Sequence, residues 1–284
     1  MYNCRGDTGL MNTRKVTFSQ LLPVIKLAFL CICTSLILAM FSVRLCVLPL
    51  SVFVISCFAA PFFPRFGFYL PVISQGSTGK NMVALTFDDG PDPETTLLLL
   101  ELLAQYAVTA TFFVIGEKVH KHPALMREII ARGHSVGNHS YHHDVLLMLR
   151  SSKKIANEIC MGQQVLSKYG MKPLIFRPPV GITNPKLGFI LKDQGLFCVN
   201  FSCRGFDAGN RRIVGLAGRI LKKIRPDDIV LLHDCRPRRG ASVTMWLREI
   251  EVLLDGLEKM NLKPVSLENL IGRPVCSCLP IKAL

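Results

Sequence analysis

Residues 82–90 read MVALTFDDG, and this stretch decides the fold. Its first six residues form an apolar run of strand length, and two adjacent aspartates and a glycine follow directly. Active sites of parallel α/β proteins gather at the carboxyl ends of the strands. The pattern therefore predicts a buried strand that delivers carboxylates to an active-site edge, and other strands are expected to end in reactive side chains.

Downstream of this strand, short apolar runs alternate with longer amphipathic segments. Strands are predicted at 82–87, 110–115, 134–138, 173–176, 196–201 and 229–232, and helices at 94–106, 123–132, 151–169, 185–194, 211–224 and 242–260. This regular alternation predicts an α/β fold with a parallel sheet or barrel. Residues 81–272 are assigned to this domain, and residues 273–284 to a C-terminal tail without an assigned role.

Ionisable residues follow five of the predicted strands. They are Asp88 and Asp89 after the first strand, His139 and His143 after the third, Arg177 after the fourth, Arg204 and Asp207 after the fifth, and His233 after the last. Any one of these placements has a simple structural explanation. All five together indicate one site at the carboxyl edge of the sheet.

Within this set, two histidines and a carboxylate suit a metal ion. His139 and His143 are four residues apart, so on one helical turn both imidazoles would face the same way. Two histidines and one carboxylate leave coordination positions open for water, which catalysis requires. A surface loop rich in histidine and a turn at residues 88–92 stay open as alternatives for each motif alone.

These motifs resemble those of the NodB-type polysaccharide deacetylases, carbohydrate esterase family four. The TFDDG, H-[ST]-x-x-H, R-x-P-x-G and L-x-H motifs of that family stand at residues 86–90, 139–143, 177–181 and 231–233. The resemblance covers roughly residues 80–270, in the family's order. It implies a distorted, incomplete (β/α) barrel of the NodB homology type, and a hydrolase that removes N-acetyl groups from sugars.

The resemblance also implies a role for individual residues. The expected metal ligands are Asp89, His139 and His143, with zinc as the first choice of metal and cobalt or nickel as alternatives. The expected catalytic pairs are the general base Asp88 with Arg177, and the general acid His233 with Asp207. The expected substrate contacts are the Val180 backbone N–H at the oxyanion and Leu231 at the acetyl methyl.

Two positions depart from the family pattern. Val180 stands where the family usually has tyrosine, but the expected donor there is the backbone N–H, so activity should survive. Ala208 follows Asp207 where the family often has tryptophan, so the acyl pocket is expected to differ in shape.

The N-terminal part of the chain is compositionally different. A basic tail, residues 1–26, precedes residues 27–63, which are nearly all apolar with Arg44 as the only charged residue, and residues 64–80 read as a linker. A bilayer span needs about 20 apolar residues, so residues 27–63 are predicted to be a membrane anchor, either one span or a helical hairpin. A hairpin with basic flanks would keep the domain on the cytoplasmic side, whereas a single span would place it outside. A short lipoprotein signal that starts at Met40 is a third alternative.

Composition narrows the partners. The formal net charge is +14, but no predicted helix combines a basic face with interleaved aromatics, so no nucleic-acid partner is predicted. The eleven cysteines show no regular framework, which favours small buried side chains in a reducing compartment. The expected partners are membrane lipid and an N-acetylated glycan, either of the cell envelope or lipid-linked, and the expected location is an inner or cytoplasmic membrane.

Three other functions are compared with the leading hypothesis on the residues present. A deformylase or another amide hydrolase that acts on a membrane-bound sugar is a close variant of the leading hypothesis. A non-catalytic carbohydrate-binding relative is disfavoured because every motif residue is present. A phosphotransfer or nucleotide-binding protein is disfavoured because no glycine-rich phosphate loop follows the first strand.

Overall fold

The computed structural model describes residues 22–63, 65–238 and 240–278. The helices are α1 (Pro23–Ala39), α2 (Val47–Ala59), α3 (Thr96–Gln105), α4 (Gly116–Lys121), α5 (Pro123–Ala131), α6 (Ser152–Ser167), α7 (Leu187–Asp193), α8 (Leu216–Leu221), α9 (Val243–Lys259) and α10 (Leu267–Ile271). The strands are β1 (Val72–Ile73), β2 (Met82–Asp88), β3 (Thr111–Val114), β4 (Ser135–Asn138), β5 (Met171–Pro173), β6 (Ile175–Phe176), β7 (Phe197–Val199), β8 (Cys203–Arg204), β9 (Ile229–His233), β10 (Lys263–Pro264) and β11 (Cys276–Cys278).

One parallel sheet organises the domain. In the described part of the chain it has nine strands, eight of them in the order β1-β7-β6-β4-β3-β2-β9-β8, with β10 also paired to β2. An antiparallel bridge between Gln75 and Asp228 links the segment after β1 to the segment before β9, so the two ends of the sheet approach each other. The predicted α/β class and the incomplete barrel are confirmed.

Strand β2 shows how the sequence builds both faces of this sheet. Successive side chains of a strand point to opposite faces. Val83, Leu85 and Phe87 belong to the core cluster that includes residues of α3 and α9, whereas Ala84 belongs to a second cluster with Phe113. Thr86 and Asp88 alternate with Phe87 and therefore point to the same face as Ala84. The strand thus directs the Asp88 carboxylate to the face opposite α3 and α9.

The C-terminal half differs from prediction at two elements. The helix predicted at 211–224 is only α8, because Gly215 is left-handed (φ 71°) and the Glu249 carboxylate accepts hydrogen bonds from the N–H groups of Gly215 and Ala217. The strand predicted at 173–176 divides into β5 and β6. Strand β5 pairs with β11, which lies in the predicted tail, while β6 enters the main sheet.

The N-terminal apolar segment forms the two helices α1 and α2, joined by residues 40–46. The Ser35 hydroxyl on α1 donates a hydrogen bond to the carbonyl oxygen of Cys46 at the start of α2. Among the residues described, neither of these helices nor any other has both the length and the apolar character needed to cross a bilayer. The predicted transmembrane helix is therefore not supported, and residues 1–21 of the predicted basic tail lie outside the described residues.

The cysteines only partly match the prediction of reduced, buried side chains. Cys198 and Cys203 are buried free thiols in the core. Cys160 on α6 takes part in a disulfide bond, so the prediction is wrong for this residue.

Candidate active site

The parallel strands deliver reactive side chains to one edge of the sheet. Asp88 is the last residue of β2 and His233 the last of β9, and the two are register partners on adjacent strands. His139 and Arg177 directly follow β4 and β6, and the Arg177 N–H donates to the carbonyl oxygen of Asn138 at the end of β4. The carboxyl ends of adjacent strands thus bring four of the predicted residues together.

Asp89, His139 and His143 form a cluster whose ligand atoms lie within 4.8 Å of one another. The Asp89 Oδ1 atom lies 3.2 Å from Nε2 of His143 and 3.6 Å from Nε2 of His139. This oxygen is buried, and no hydrogen-bond partner for it exists among the described residues. A buried carboxylate oxygen without a donor is costly, so its environment calls for a cation.

The protonation state of His139 supports the same conclusion. Its Nδ1 lies 2.8 Å from the carbonyl oxygen of Arg177, which can only accept, so Nδ1 carries the proton. Burial lowers the pKa of His139 to about 4, so the ring is neutral near pH 7 and Nε2 is a lone pair. Two acceptors, this Nε2 and Asp89 Oδ1, then face each other at 3.6 Å. A divalent cation would satisfy both acceptors, and a set of two imidazoles and one carboxylate is of the kind that suits zinc.

His143 reaches this cluster by a route that differs from the prediction. The predicted helical turn is wrong: the segment after β4 is a loop in which Ser140 (φ 68°) and His143 (φ 56°) are left-handed. The Ser140 hydroxyl accepts a hydrogen bond from the His143 N–H, which closes the loop. The two imidazole centroids still lie 4.8 Å apart. His142, between them, points instead to the buried carboxylate of Glu158 on α6.

Arg177 holds Asp88 in place. Its guanidinium is fully buried and donates to Asp88 Oδ1 at 2.7 Å and to the Thr86 hydroxyl at 2.8 Å. Its other nitrogens donate to the carbonyl oxygens of Val199 and Asn200. The guanidinium carbon also lies 3.9 Å from the centroid of the Phe113 ring. Each of the three guanidinium nitrogens thus donates a hydrogen bond, which holds the cation and the carboxylate that it contacts in place.

His233 has a carboxylate partner of its own. Its Nδ1 donates to Asp207 Oδ2 at 2.7 Å, and Asp207 is 2% exposed. Burial alone would lower the pKa of His233. The hydrogen bond and charge of Asp207, with smaller contributions from Asp89 and Asp88, outweigh burial and raise that pKa to about 9. The ring is therefore a cation near neutral pH, and its Nε2–H is available as an acid.

Lys118 on α4 is a further residue of the site, and it was not predicted. Its ammonium group donates to the backbone carbonyl of Asp89 at 2.7 Å. Burial raises the pKa of the Asp89 carboxyl, but the charges of His233, His143, His139 and Lys118 lower it overall. The sequence offers only a weak signal for Lys118, namely its position two residues into a helix that begins just after β3.

Asp234 lies directly after His233 and supports the loop that carries Asp89. It accepts hydrogen bonds from the hydroxyls of Thr95 and Thr96 at 2.6 and 2.7 Å. Burial raises the pKa of Asp234 to about 6. A Cβ at Gly90 would meet its Oδ2 at 2.5 Å, so this close packing needs glycine.

Val180 and Leu231 lie on the flanks of the cluster. Val180 is in a 3₁₀ turn, Pro179–Gly181, with a left-handed backbone (φ 54°) and a half-exposed side chain. That conformation is strained for a β-branched residue, and such strain is common at active sites. Leu231 is buried on β9, opposite Thr86 of β2. The roles of the Val180 N–H at the oxyanion and of Leu231 at the acetyl methyl stay predictions.

Comparison with known proteins identifies the class. Residues 75–199 match the family profile of the polysaccharide deacetylases. The chain is 34% identical to the peptidoglycan-N-acetylglucosamine deacetylase of Bacillus cereus over 68% of this chain and 89% of that protein. It is 32% identical to a chitooligosaccharide deacetylase of Sinorhizobium fredii over 64% of this chain and 85% of that protein.

The fold agrees with these sequence matches. The crystal structure of the Bc1960 peptidoglycan N-acetylglucosamine deacetylase superposes with a TM-score of 0.65 at 28% identity, over 72% of this chain and 94% of that one. The chain belongs to the polysaccharide deacetylase family, that is, the NodB-type carbohydrate esterases of family four. It is accordingly a deacetylase of the hydrolase class.

Proposed function

We propose that the protein uses a divalent metal to remove N-acetyl groups from N-acetylglucosamine-type sugars of a cell-envelope polysaccharide or a lipid-linked glycan. The observation that carries the metal dependence is the buried Asp89 Oδ1, which faces two imidazoles without a hydrogen-bond donor. The substrate class is supported by the relatives described above, which are named for peptidoglycan N-acetylglucosamine and chitooligosaccharides.

Asp89, His139 and His143 would hold the metal, most favourably zinc, with cobalt or nickel as alternatives. A divalent cation in such a site polarises a bound carbonyl and makes water a stronger acid. Lys118 and the backbone that it contacts keep the loop that presents Asp89 in position. Asp89 has a left-handed backbone (φ 72°), and its Oδ1 lies 3.6 Å from Nε2 of His139, close to the 3.7 Å of Asp88 Oδ2, so both carboxylates face the proposed metal position.

Asp88 acts in this proposal as the general base, and Arg177 orients it. The hydrogen bond from Arg177 occupies Oδ1 of Asp88, whereas Oδ2 lies 3.7 Å from Nε2 of His139, on the side of the metal ligands. A water molecule that approaches the acetamide carbon from this side gives its proton to Oδ2. The Val180 N–H would stabilise the oxyanion that forms, and Leu231 would line the acetyl pocket.

His233 acts in this proposal as the general acid, at the end of the strand next to the one that carries Asp88. Its pKa of about 9 keeps the ring protonated near neutral pH, and Asp207 fixes Nδ1 so that Nε2 carries the proton to be given. The departing sugar nitrogen needs that proton to leave as a neutral amine. Asp88 and His233 are thus a base and an acid on neighbouring strands.

We further propose that the helical pair α1 and α2 attaches the protein to a membrane surface. Large apolar side chains on this pair and on the segment that joins the two helices are exposed, among them Leu30, Leu36, Phe41 and Phe58, each more than half accessible. Apolar residues that are gathered on one segment of a folded chain mark an interaction surface. A topology reporter fused to the C-terminus would show on which side of the membrane the domain lies, and recovery of the chain in the non-membrane fraction would contradict this attachment.

Acetate release from chito-oligosaccharides by the full chain tests the enzymatic proposal. We expect activity with added zinc or cobalt, loss of activity with a chelator, and loss in Asp88→Asn and His143→Ala. His120→Ala is the matched control, because His120 is an exposed histidine on α4. Activity that persists in Asp88→Asn would refute the assigned base, and activity insensitive to chelator would refute the metal.

A further inference from the structure

A cavity of about 700 Å³ lies beside β8, the edge strand at one end of the sheet. Four segments form its walls. They are the segment after α2, the segment after β1, the residues around β8, and the connection between α8 and β9. This volume is in the range of sites that hold a small ligand. None of the metal ligands or catalytic pairs described above lines the cavity.

The lining of this cavity is strongly cationic. Its basic side chains are Arg65, Arg204, Lys222, Lys223 and Arg225. None of the five forms an ion pair with a carboxylate in the described part of the chain. The acid in the lining, Asp228, is buried and already accepts hydrogen bonds from the Ser202 hydroxyl and the Arg225 backbone N–H. Five basic side chains against one acid leave the lining with a positive balance, and a concave surface of that kind concentrates its field on an anionic ligand.

The ring of Phe206 brings two of these cations together. The guanidinium carbon of Arg204 lies 4.4 Å from the ring centroid and the Lys223 ammonium 4.8 Å from it. The ring itself is half exposed, so it is not placed there by burial in the core. Cation–π contacts of this kind fix the direction of side chains that would otherwise be disordered. The cavity therefore presents oriented donors rather than a diffuse basic surface.

The chain connects this cavity to the active site at two points. Arg204 of β8 is the register partner of Leu231 on β9, two residues before His233. Phe206 directly precedes Asp207, which holds His233. On the other side, Phe63 and Arg65 line the cavity and follow α2, so the apolar helical pair leads into it.

We propose that this cavity binds the phosphate or pyrophosphate group of a lipid-linked glycan while the attached sugar is at the active site. Guanidinium and ammonium groups are the usual ligands of phosphate oxygens, and several unpaired cations suit a multiply charged anion better than a single carboxylate. The inference rests on the proposed function for the sugar and deepens it by assigning the charged part of the substrate.

Binding of inorganic pyrophosphate to the full chain, measured by calorimetry at low salt, tests the site without turnover. The double variant Arg204→Gln/Lys223→Gln is expected to weaken binding by about tenfold or more for each lost charge-assisted contact. Lys153→Gln/Lys168→Gln is the matched control, because it removes the same charge from exposed positions at the two ends of α6. Absence of saturable binding to the wild type, or equal weakening in both double variants, would overturn the site.

Vesicles identify the source of the phosphate. We expect the cavity variant to lose binding to phosphatidylcholine vesicles that carry an N-acetylglucosaminyl pyrophosphoryl polyprenol, and not to vesicles with phosphatidylglycerol. Equal loss on phosphatidylglycerol would overturn the assignment to a lipid-linked sugar. Because these assays measure binding alone, their failure is distinguishable from failure of the deacetylase proposal, which acetate release from uncharged chito-oligosaccharides tests.

Discussion

Replacement of Asp207 by asparagine is expected to change the pH at which the enzyme stops working. The pKa of His233 is raised from an ordinary 6.5 to about 9, mainly through its hydrogen bond and charge interaction with Asp207. This difference corresponds to about 3 kcal/mol in favour of the charged ring. An amide in the same position removes the charge, and burial, which acts in the opposite direction, should then bring the pKa to 6.5 or below.

The magnitude follows from these two pKa values. At a pH of about 7.5 a group with a pKa near 9 is ~97% protonated, whereas one with a pKa near 6.5 is ~9% protonated. The acid form of His233 therefore falls about tenfold in Asp207→Asn, and kcat/KM at this pH should fall by at least about that factor. The alkaline limb of the kcat/KM profile should shift from near pH 9 to near pH 6.5 or below.

The assay is acetate release at constant ionic strength between about pH 5 and 10, with metal at a fixed excess. Asp193→Asn is the control, because it removes the same charge from an exposed position on α7. Coincident alkaline limbs for Asp207→Asn and wild type would refute the assignment of His233 as an acid tuned by Asp207. A uniform loss at every pH would equally refute it, since that result indicates lost geometry rather than a lowered pKa.

The raised pKa of His233 also predicts how the stability of the protein depends on pH. A raised folded-state pKa stabilises the protein below the unfolded pKa, here 6.5, and this contribution is lost as the pH rises through about 9. Urea unfolding of the metal-free chain should therefore show a pH-dependent loss over this window, up to about 3 kcal/mol, and Asp207→Asn should flatten it. An unchanged dependence in the variant would contradict the pairing.

Three further predictions concern the metal, the buried cation and a glycine. Zinc at about 100 times its Kd should raise the free energy of unfolding by about 2.7 kcal/mol, and Asp89→Asn should remove that gain; an undiminished gain in calorimetry would exclude Asp89 as a ligand. Arg177→Met breaks a buried ion pair, so the free energy of unfolding in denaturant should fall by about 3–5 kcal/mol. A fall below about 1 kcal/mol, the range of exposed ion pairs, would show that the pair with Asp88 is not the main contact of Arg177. Gly90→Ala should lower the free energy of unfolding by about 1–3 kcal/mol, because the new Cβ would meet Asp234 at 2.5 Å. The control Gly218→Ala has open space around its Cβ and should not destabilise the protein. Equal stability of the two variants would contradict the proposed clash.

The placement of the main residues could be predicted because it depends on local pattern. An apolar strand that ends in Asp88, and others that lead into His139, Arg177 and His233, meet at one edge once the strands are parallel. That rule needs no knowledge of which strands are neighbours. It therefore survived errors in the length of single elements such as α8.

The remainder depends on contacts between distant segments. Glu249 on α9 sets the start of α8, 34 residues earlier in the chain, and no local preference encodes such a partner. The edge strand β8 has only two residues, too few for a hydrophobic period to be visible. Lys118 reaches the backbone of Asp89 across 29 residues of sequence, so its role also appears only in the folded chain.

The strand order explains how one edge can hold a base and an acid at the same time. Asp88 and His233 end adjacent strands, β2 and β9, and a base and an acid this close would tend to exchange their proton. The residues that set their opposite protonation states come from other strands. Arg177 follows β6, the third strand from β2 in the sheet, and Asp207 follows β8, the strand next to β9. A cation thus contacts the carboxylate from one side and an anion contacts the imidazole from the other, so the sheet order itself keeps the two groups in the opposite protonation states that amide hydrolysis requires.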